Sequence, residues 1–120
     1  MKIRNGFVTN SSSSSFLCVA KVDLTDELRA YMKEEFGRYG ERLLKENLQT
    51  GAEIKAGEYN EIRERFEDDG RLGELEDDAY YLGAWFIEWT NDGDTEGDDA
   101  FLYNNIPDKY MKEIYNENET

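Results

Sequence analysis

Histidine is missing from the chain altogether. With it go the side chain that titrates near neutrality, the Ser-His and Cys-His nucleophile pairs, and imidazole metal sites. A single cysteine, Cys18, excludes an internal disulfide, and its place in the apolar run SFLCVAKV marks it as a small buried hydrophobe with a reduced thiol. No apolar run approaches the roughly 18 residues that span a membrane, and the leading MKIRNGFV carries neither an apolar h-region nor a small-residue cleavage site. A cytoplasmic protein is expected. The G-x-x-x-x-G-K-S/T pattern of a phosphate loop is absent too.

Basic residues are scarce: 14 Lys and Arg stand against 28 Asp and Glu, a net charge of −14. Such a field repels nucleic acid and anionic membrane and attracts basic partners. Acid–base chemistry is left to carboxylates, whose catalytic pairing needs a defined separation across a cleft that 28 acids in a sequence do not reveal. The chain therefore reads as a binding protein rather than an enzyme, with no cofactor.

What is present fits one domain over residues 1–120, with a Ser-rich leading region at 1–15 and a fraying tail at 116–120. The charge is lopsided. Residues 1–22 hold Lys2, Arg4 and Lys21 without an acid, whereas 58–99 set sixteen acids against Arg63, Arg65 and Arg71, a net of −13. A surface made only for solubility is the plain alternative.

Asn5-Gly6 suits a tight turn, and the run Ser11–Ser15 competes for its own backbone hydrogen bonds and reads as a loop. A strand follows at 16–22. Phe16, Cys18, Ala20 and Val22 line one face and Leu17, Val19 and Lys21 the other, which places it inside a sheet. The string GFVTNSSSSSF resembles an N-terminal signature, GFV-S/T-NSSSSSF, of small proteins encoded by bacteriophages. The resemblance covers about the first 18 residues, much of them a serine tract. It implies a phage origin, not an activity, and brings no catalytic residues. The serines' backbone N–H groups and hydroxyls are also of a kind that cradles anions.

Three helices are expected next. The first runs over 26–37, capped by Asp23 or Thr25, with Leu28, Tyr31, Met32 and Phe36 inward. The second covers 41–49, with Leu43, Leu44 and Leu48, and stops at Gly51. The third covers 57–68, with Tyr59, Ile62 and Phe66 inward and Glu58, Glu61, Glu64 and Asp68 as a negative stripe that Arg63 and Arg65 partly relieve. The connection DDGRLGELEDD then adds Asp69, Glu74, Glu76, Asp77 and Asp78, with Leu72 and Leu75 tucked inward.

The densest stretch is 79–103, AYYLGAWFIEWTNDGDTEGDDAFLY. A strand over 79–90 places Tyr81, Gly83, Trp85, Ile87 and Trp89 on one face and Tyr80, Leu82, Ala84, Phe86 and Glu88 on the other. Either helices cover both faces or one aromatic face stays open for a partner. Asp92, Asp94 and Glu96 with Gly97 match the opening of a calcium-binding loop, but its twelfth position is Tyr103 rather than a bidentate glutamate. The reading is an acidic hairpin turn and at most a weak metal candidate, closed by a return strand over 99–103. A last helix begins at Ile106-Pro107-Asp108, with Tyr110, Met111, Ile114 and Tyr115 inward.

The expected architecture is α+β: a small antiparallel sheet of three or four strands with three or four packed helices. The expected function is an acidic inhibitor that mimics the charge of nucleic acid and occupies a basic, nucleic-acid-binding protein, without touching nucleic acid or membrane. The acids named above between Glu58 and Glu96 carry the contacts, with Trp85, Trp89 or Tyr81 as aromatic anchors if that face is open. The alternative is an interaction module that binds through an exposed aromatic strand face.

Overall fold

The computed structural model describes residues 15–87 and 97–117. The Asn5-Gly6 turn, all but the last residue of the serine loop, Trp89 and the loop acids Asp92, Asp94 and Glu96 lie outside the described residues.

The sheet is built around β1 (Ser15–Val22), which pairs antiparallel on one side with β3 (Tyr80–Ile87) and on the other with β4 (Met111–Asn116). A short β2 (Leu48–Thr50) extends β3, giving the order β2-β3-β1-β4. The expected class holds: among the described residues four strands, all paired antiparallel, carry four α-helices, α1 (Asp26–Asn47), α2 (Gly51–Ala56), α3 (Glu61–Asp68) and α4 (Asp98–Asn105). Both central strands are apolar on both faces because both faces are covered. Cys18, Ala20, Val22, Leu82 and Ala84 meet Leu28, Met32, Leu43, Leu44 and Leu102 of α1 and α4. On the opposite face Leu17, Val19, Tyr81 and Tyr115 meet Ile54, Ile62, Phe66 and Leu75, from α2, α3 and the connection after it.

The expected break near Gly37 is real. Gly37 stands at φ 64°, ψ −147°, a left-handed backbone that glycine adopts without strain. The chain folds back there, so that a β-carbon on Gly40 would fall 2.3 Å from the carbonyl oxygen of Met32. Thr25 is the cap of α1, its Oγ1 accepting from the Leu28 N–H at 3.1 Å.

Six expectations need correction. Residues 48 and 49 lie in the strand β2 rather than at the end of a helix, and Gly51 opens α2 instead of ending a helix. Thr50 and Glu53 form a reciprocal capping box, with N–H···O distances of 3.1 and 2.8 Å, which fixes the helix start at this point. The third helix begins at Glu61, not at 57, because the Asn60 carboxamide oxygen accepts from the N–H groups of Ile62 and Arg63. Tyr59 falls in the turn before that cap and is 83% exposed rather than inward.

The expected return strand at 99–103 is the helix α4. Asp98 and Asp99 favour its positive first turn, and the edge it would have paired with is already occupied. One side of β3 holds β1 along its length; on the other, β2 covers 80–82 and the Asp99 carboxylate accepts from the Trp85 N–H at 2.8 Å. The hairpin over 79–103 is therefore a strand followed by a helix.

The last expected helix is β4, entered through a 3-10 turn at Asp108–Tyr110. The Asp23 N–H donates to the Tyr110 carbonyl at 2.7 Å and lays the chain beside β1. An extra residue, Ile114, bulges between Glu113 and Tyr115 where the register shifts. That bulge turns Tyr110 and Met111 to one core and Ile114 and Tyr115 to the other, producing a helix-like spacing within a strand. Asn116 and Glu117, expected in a fraying tail, are held: Glu117 accepts from the Leu17 N–H at 3.0 Å and from Arg65 Nε at 3.2 Å. No helix among the described residues is long and apolar enough to cross a membrane.

Candidate functional site

The acids singled out between Glu58 and Asp78 lie in one layer, formed by α2, α3 and the segment leading to β3, against the sheet face that carries Tyr81. Residues 51–78 contain eleven acids and four bases, a net of −7. The α1 segment on the other face has six acids and five bases, a net of −1. Phe66, fully buried, anchors α3 against Tyr115 with ring centroids 5.5 Å apart. This packing turns Glu58, Glu61, Glu64, Glu67, Asp68 and Asp69 outward, and all six are exposed.

The layer also contains cations, and they are spent on named carboxylates. Lys21 Nζ reaches Glu76 at 2.8 Å and Lys55 Nζ reaches Asp77 at 2.9 Å. Arg71 forks onto Glu74 at 3.0 Å, donates to the bulged Ile114 carbonyl at 2.7 Å, and lies 4.9 Å from the Phe66 ring centre. The hydrogen-bonded Arg71 guanidinium holds the Glu74 carboxyl below the usual carboxylate range. Arg65 stands 3.8 Å from Glu64, and Arg63 approaches Glu67 only to 4.0 Å. Glu58, Asp68, Asp69 and Asp78 make no ion pair with a described residue. The sequence reading missed Lys21, Lys55 and Arg71 as tethers, because their partners lie 55, 22 and 43 residues away in the chain, the last being a backbone carbonyl.

Among the described residues the aromatic side of β3 is closed at Tyr81 and partly covered at Trp85. Tyr81 is 1% exposed, with its hydroxyl accepting from the Glu76 N–H at 2.8 Å. Trp85 is partly covered: its indole N–H donates to Glu61 at 2.9 Å and the Arg65 guanidinium stands 5.3 Å from the ring centre. The structure thus brings together Glu58, Glu61, Glu64, Asp68, Asp69, Glu74, Glu76, Asp77, Asp78 and Trp85 in one layer; Trp89, Asp92, Asp94 and Glu96 lie outside the described residues.

Elsewhere charges mix. A cavity of about 600 Å³ at one end of the sheet is edged by Lys21, Lys109 and Lys112 but equally by Asp23, Asp78 and Asp108. Another, of about 540 Å³ between the two halves of α1 and β2, sets Arg29 and Lys45 beside Glu41 and Glu53 over Leu44, Leu48 and Tyr80. Among the described residues no three Cys, Asp or Glu side chains are grouped to hold a metal ion. Comparison with protein-family models, with curated proteins and with solved structures returned no match.

Proposed function

We propose that the protein is an acidic inhibitor that presents a nucleic-acid-like field to a basic, nucleic-acid-binding protein and occupies its groove. The observation that carries this reading is the segregation of charge, −7 on residues 51–78 of the α2–α3 layer against −3 on α1 and α4 together, where six acids stand with five bases and Asp98 and Asp99 add two more. A surface made only for solubility has no need to gather its charge on one face. Rigid support matters as much as charge, since carboxylates already held in place lose little freedom on binding. The Phe66 anchor and the Lys21, Lys55 and Arg71 tethers supply that support. The N-terminal resemblance to phage proteins supports a partner of bacterial origin, a host or defence protein met in the cytoplasm, and on this reading the protein acts by binding, without catalysis or cofactor. The alternative of an open aromatic strand face loses ground because α3 covers Tyr81 and much of Trp85.

The test is capture from bacterial lysate at low salt, identification of the bound protein, and competition. Duplex DNA should displace the inhibitor, and affinity should fall steeply with salt. Changing Glu58, Glu64, Asp68 and Asp69 to their amides should weaken binding at least about tenfold, at roughly 1.4 kcal/mol per decade. The same treatment of Glu34, Glu35, Glu41 and Glu46 on α1 should change it little. Equal losses from the two sets, or indifference to DNA, overturn the reading.

A further inference from the structure

The geometry points to a notch beside Tyr59 as the place where this surface takes one arginine side chain of its basic partner. The inference rests on the reading of the α2–α3 layer as the partner-facing side. The notch, about 280 Å³ in volume, is lined by Tyr59, Asn60, Glu61, Gly83, Trp85 and Gln49. Its position follows from the sheet: β2 pairs with β3 only through Leu82, so the strand beyond is not covered by β2 at Gly83.

The walls are held before any ligand arrives. Asn60 accepts from two backbone N–H groups of α3 and donates to Gln49 at 2.6 Å, and Trp85 is tied to Glu61 Oε1, which leaves Oε2 without a described partner. Tyr59 alone has no such tie. It is 83% exposed, with no hydrogen bond or ring contact to any described residue. The other exposed tyrosine, Tyr39, is engaged by Asp98 at 2.9 Å.

A ring, a carboxylate oxygen and a second ring around one opening match a planar cation. Arginine fits better than lysine, because its guanidinium stacks on aromatic faces and forks onto a carboxylate, whereas an ammonium is a compact, strongly hydrated point charge. The molecule already uses the chemistry internally, with the Arg65 guanidinium set against the same Trp85 ring at 5.3 Å. Surrounding Glu58 and Glu64 add attraction without geometry, so the notch supplies selectivity and the layer supplies the field.

The experiment titrates the labelled full chain at low salt with an end-blocked Gly-Gly-Arg-Gly-Gly peptide and its lysine and citrulline counterparts, followed by nuclear magnetic resonance. The arginine peptide should shift the Trp85 indole and Gly83 amide signals saturably, bind more tightly than the lysine peptide, and exceed the citrulline peptide by a wide margin. Tyr59→Ala should weaken arginine binding about fivefold, within the range of a cation–π contact, and Tyr59→Phe should restore most of it. Because Tyr59 is so exposed, the alanine variant removes no core packing. If the arginine and lysine peptides bind alike and Tyr59→Ala changes nothing, the notch is overturned while the acidic layer stands. If neither peptide binds, the notch is likewise overturned, and the acidic layer is judged separately by whether duplex DNA displaces the captured partner.

Discussion

The two layers that clothe the sheet use helices in opposite ways. On one face α1 turns back at Gly37 and buries Leu28, Met32, Leu43 and Leu44, while its outer side mixes six acids with five bases. On the other, the short helices α2 and α3 bury the side chains of Ile54, Ile62 and Phe66 between them and hold five of the eleven acids of residues 51–78, the other six standing in the segments that flank α3. Short helices gain little from their own hydrogen bonds and depend on packing and caps. The acidic layer has both: Phe66 at its centre, and Thr50 and Asn60 at its helix starts. Self-repulsion is therefore set on two helices of low independent stability and on the segments that flank them, and the cost is met by contacts to the sheet.

The strongest way to break that arrangement is Phe66→Ala. A fully buried aromatic contributes transfer free energy and fills space, so its loss should cost about 3–5 kcal/mol in denaturant unfolding. Hydrogen exchange sharpens the comparison. Amides of α3 should lose protection before those of α1, because like charges along α3 oppose its persistence once the anchor is gone. Equal acceleration in both layers would mean that they open as one unit and that the acidic layer is no more fragile than its counterpart.

Much of this organisation is legible in the sequence, and the errors have physical causes. Alternation in 16–22 and 79–90 identified the two central strands, described at Ser15–Val22 and Tyr80–Ile87, because apolar residues on both faces require cover on both sides. The acids were recognisable one by one, and helical spacing put Glu61, Glu64 and Asp68 on a common side. The return strand and the last helix went wrong for related reasons. FLY following two aspartates suits a strand by composition, but Asp98 and Asp99 are also good first-turn residues, and only the occupied edge of β3 decides between the two. At 110–115 the bulge at Ile114 imposed a false period. Tyr59 was assigned inward by that same arithmetic, since spacing alone does not show that Asn60 starts the helix one residue later.

A smaller effect separates the layers by pH. Tyr103, on the α1–α4 side, donates its hydroxyl to Glu113 at 2.6 Å. Burial, followed by the hydrogen bond and charge of Glu113, pushes its pKa above the ordinary tyrosine value. The unfolded chain releases this proton near pH 10, at about the model-peptide value, while the folded protein retains it. Its contribution to stability is therefore complete below about pH 10 and is lost progressively above it. Tyr103→Phe should cost about 1 kcal/mol at neutral pH and make the alkaline decline shallower. Tyr110 and Tyr115, also raised chiefly by burial, and Tyr39, Lys21 and Lys109, raised chiefly by hydrogen bonds, contribute to the slope that remains. An unchanged alkaline limb in chemical denaturation would show that the Tyr103 proton is not coupled to folding.

The smallest effect bears most directly on function. Lys55 is partly exposed and holds Asp77 at 2.9 Å, so it subtracts one charge from the acidic layer while fixing one carboxylate. An exposed ion pair contributes little to stability, so Lys55→Met should leave the unfolding transition almost where it was. Its effect on binding depends on what the layer is for. If the field attracts a basic partner, removing one cation at about 8 Å from the partner's charge should tighten binding about twofold at low salt, and the gain should vanish at high salt. If fixing Asp77 matters more than the added charge, binding should weaken at every salt concentration. The direction of that change decides whether Lys55 limits the field of the acidic layer or shapes it.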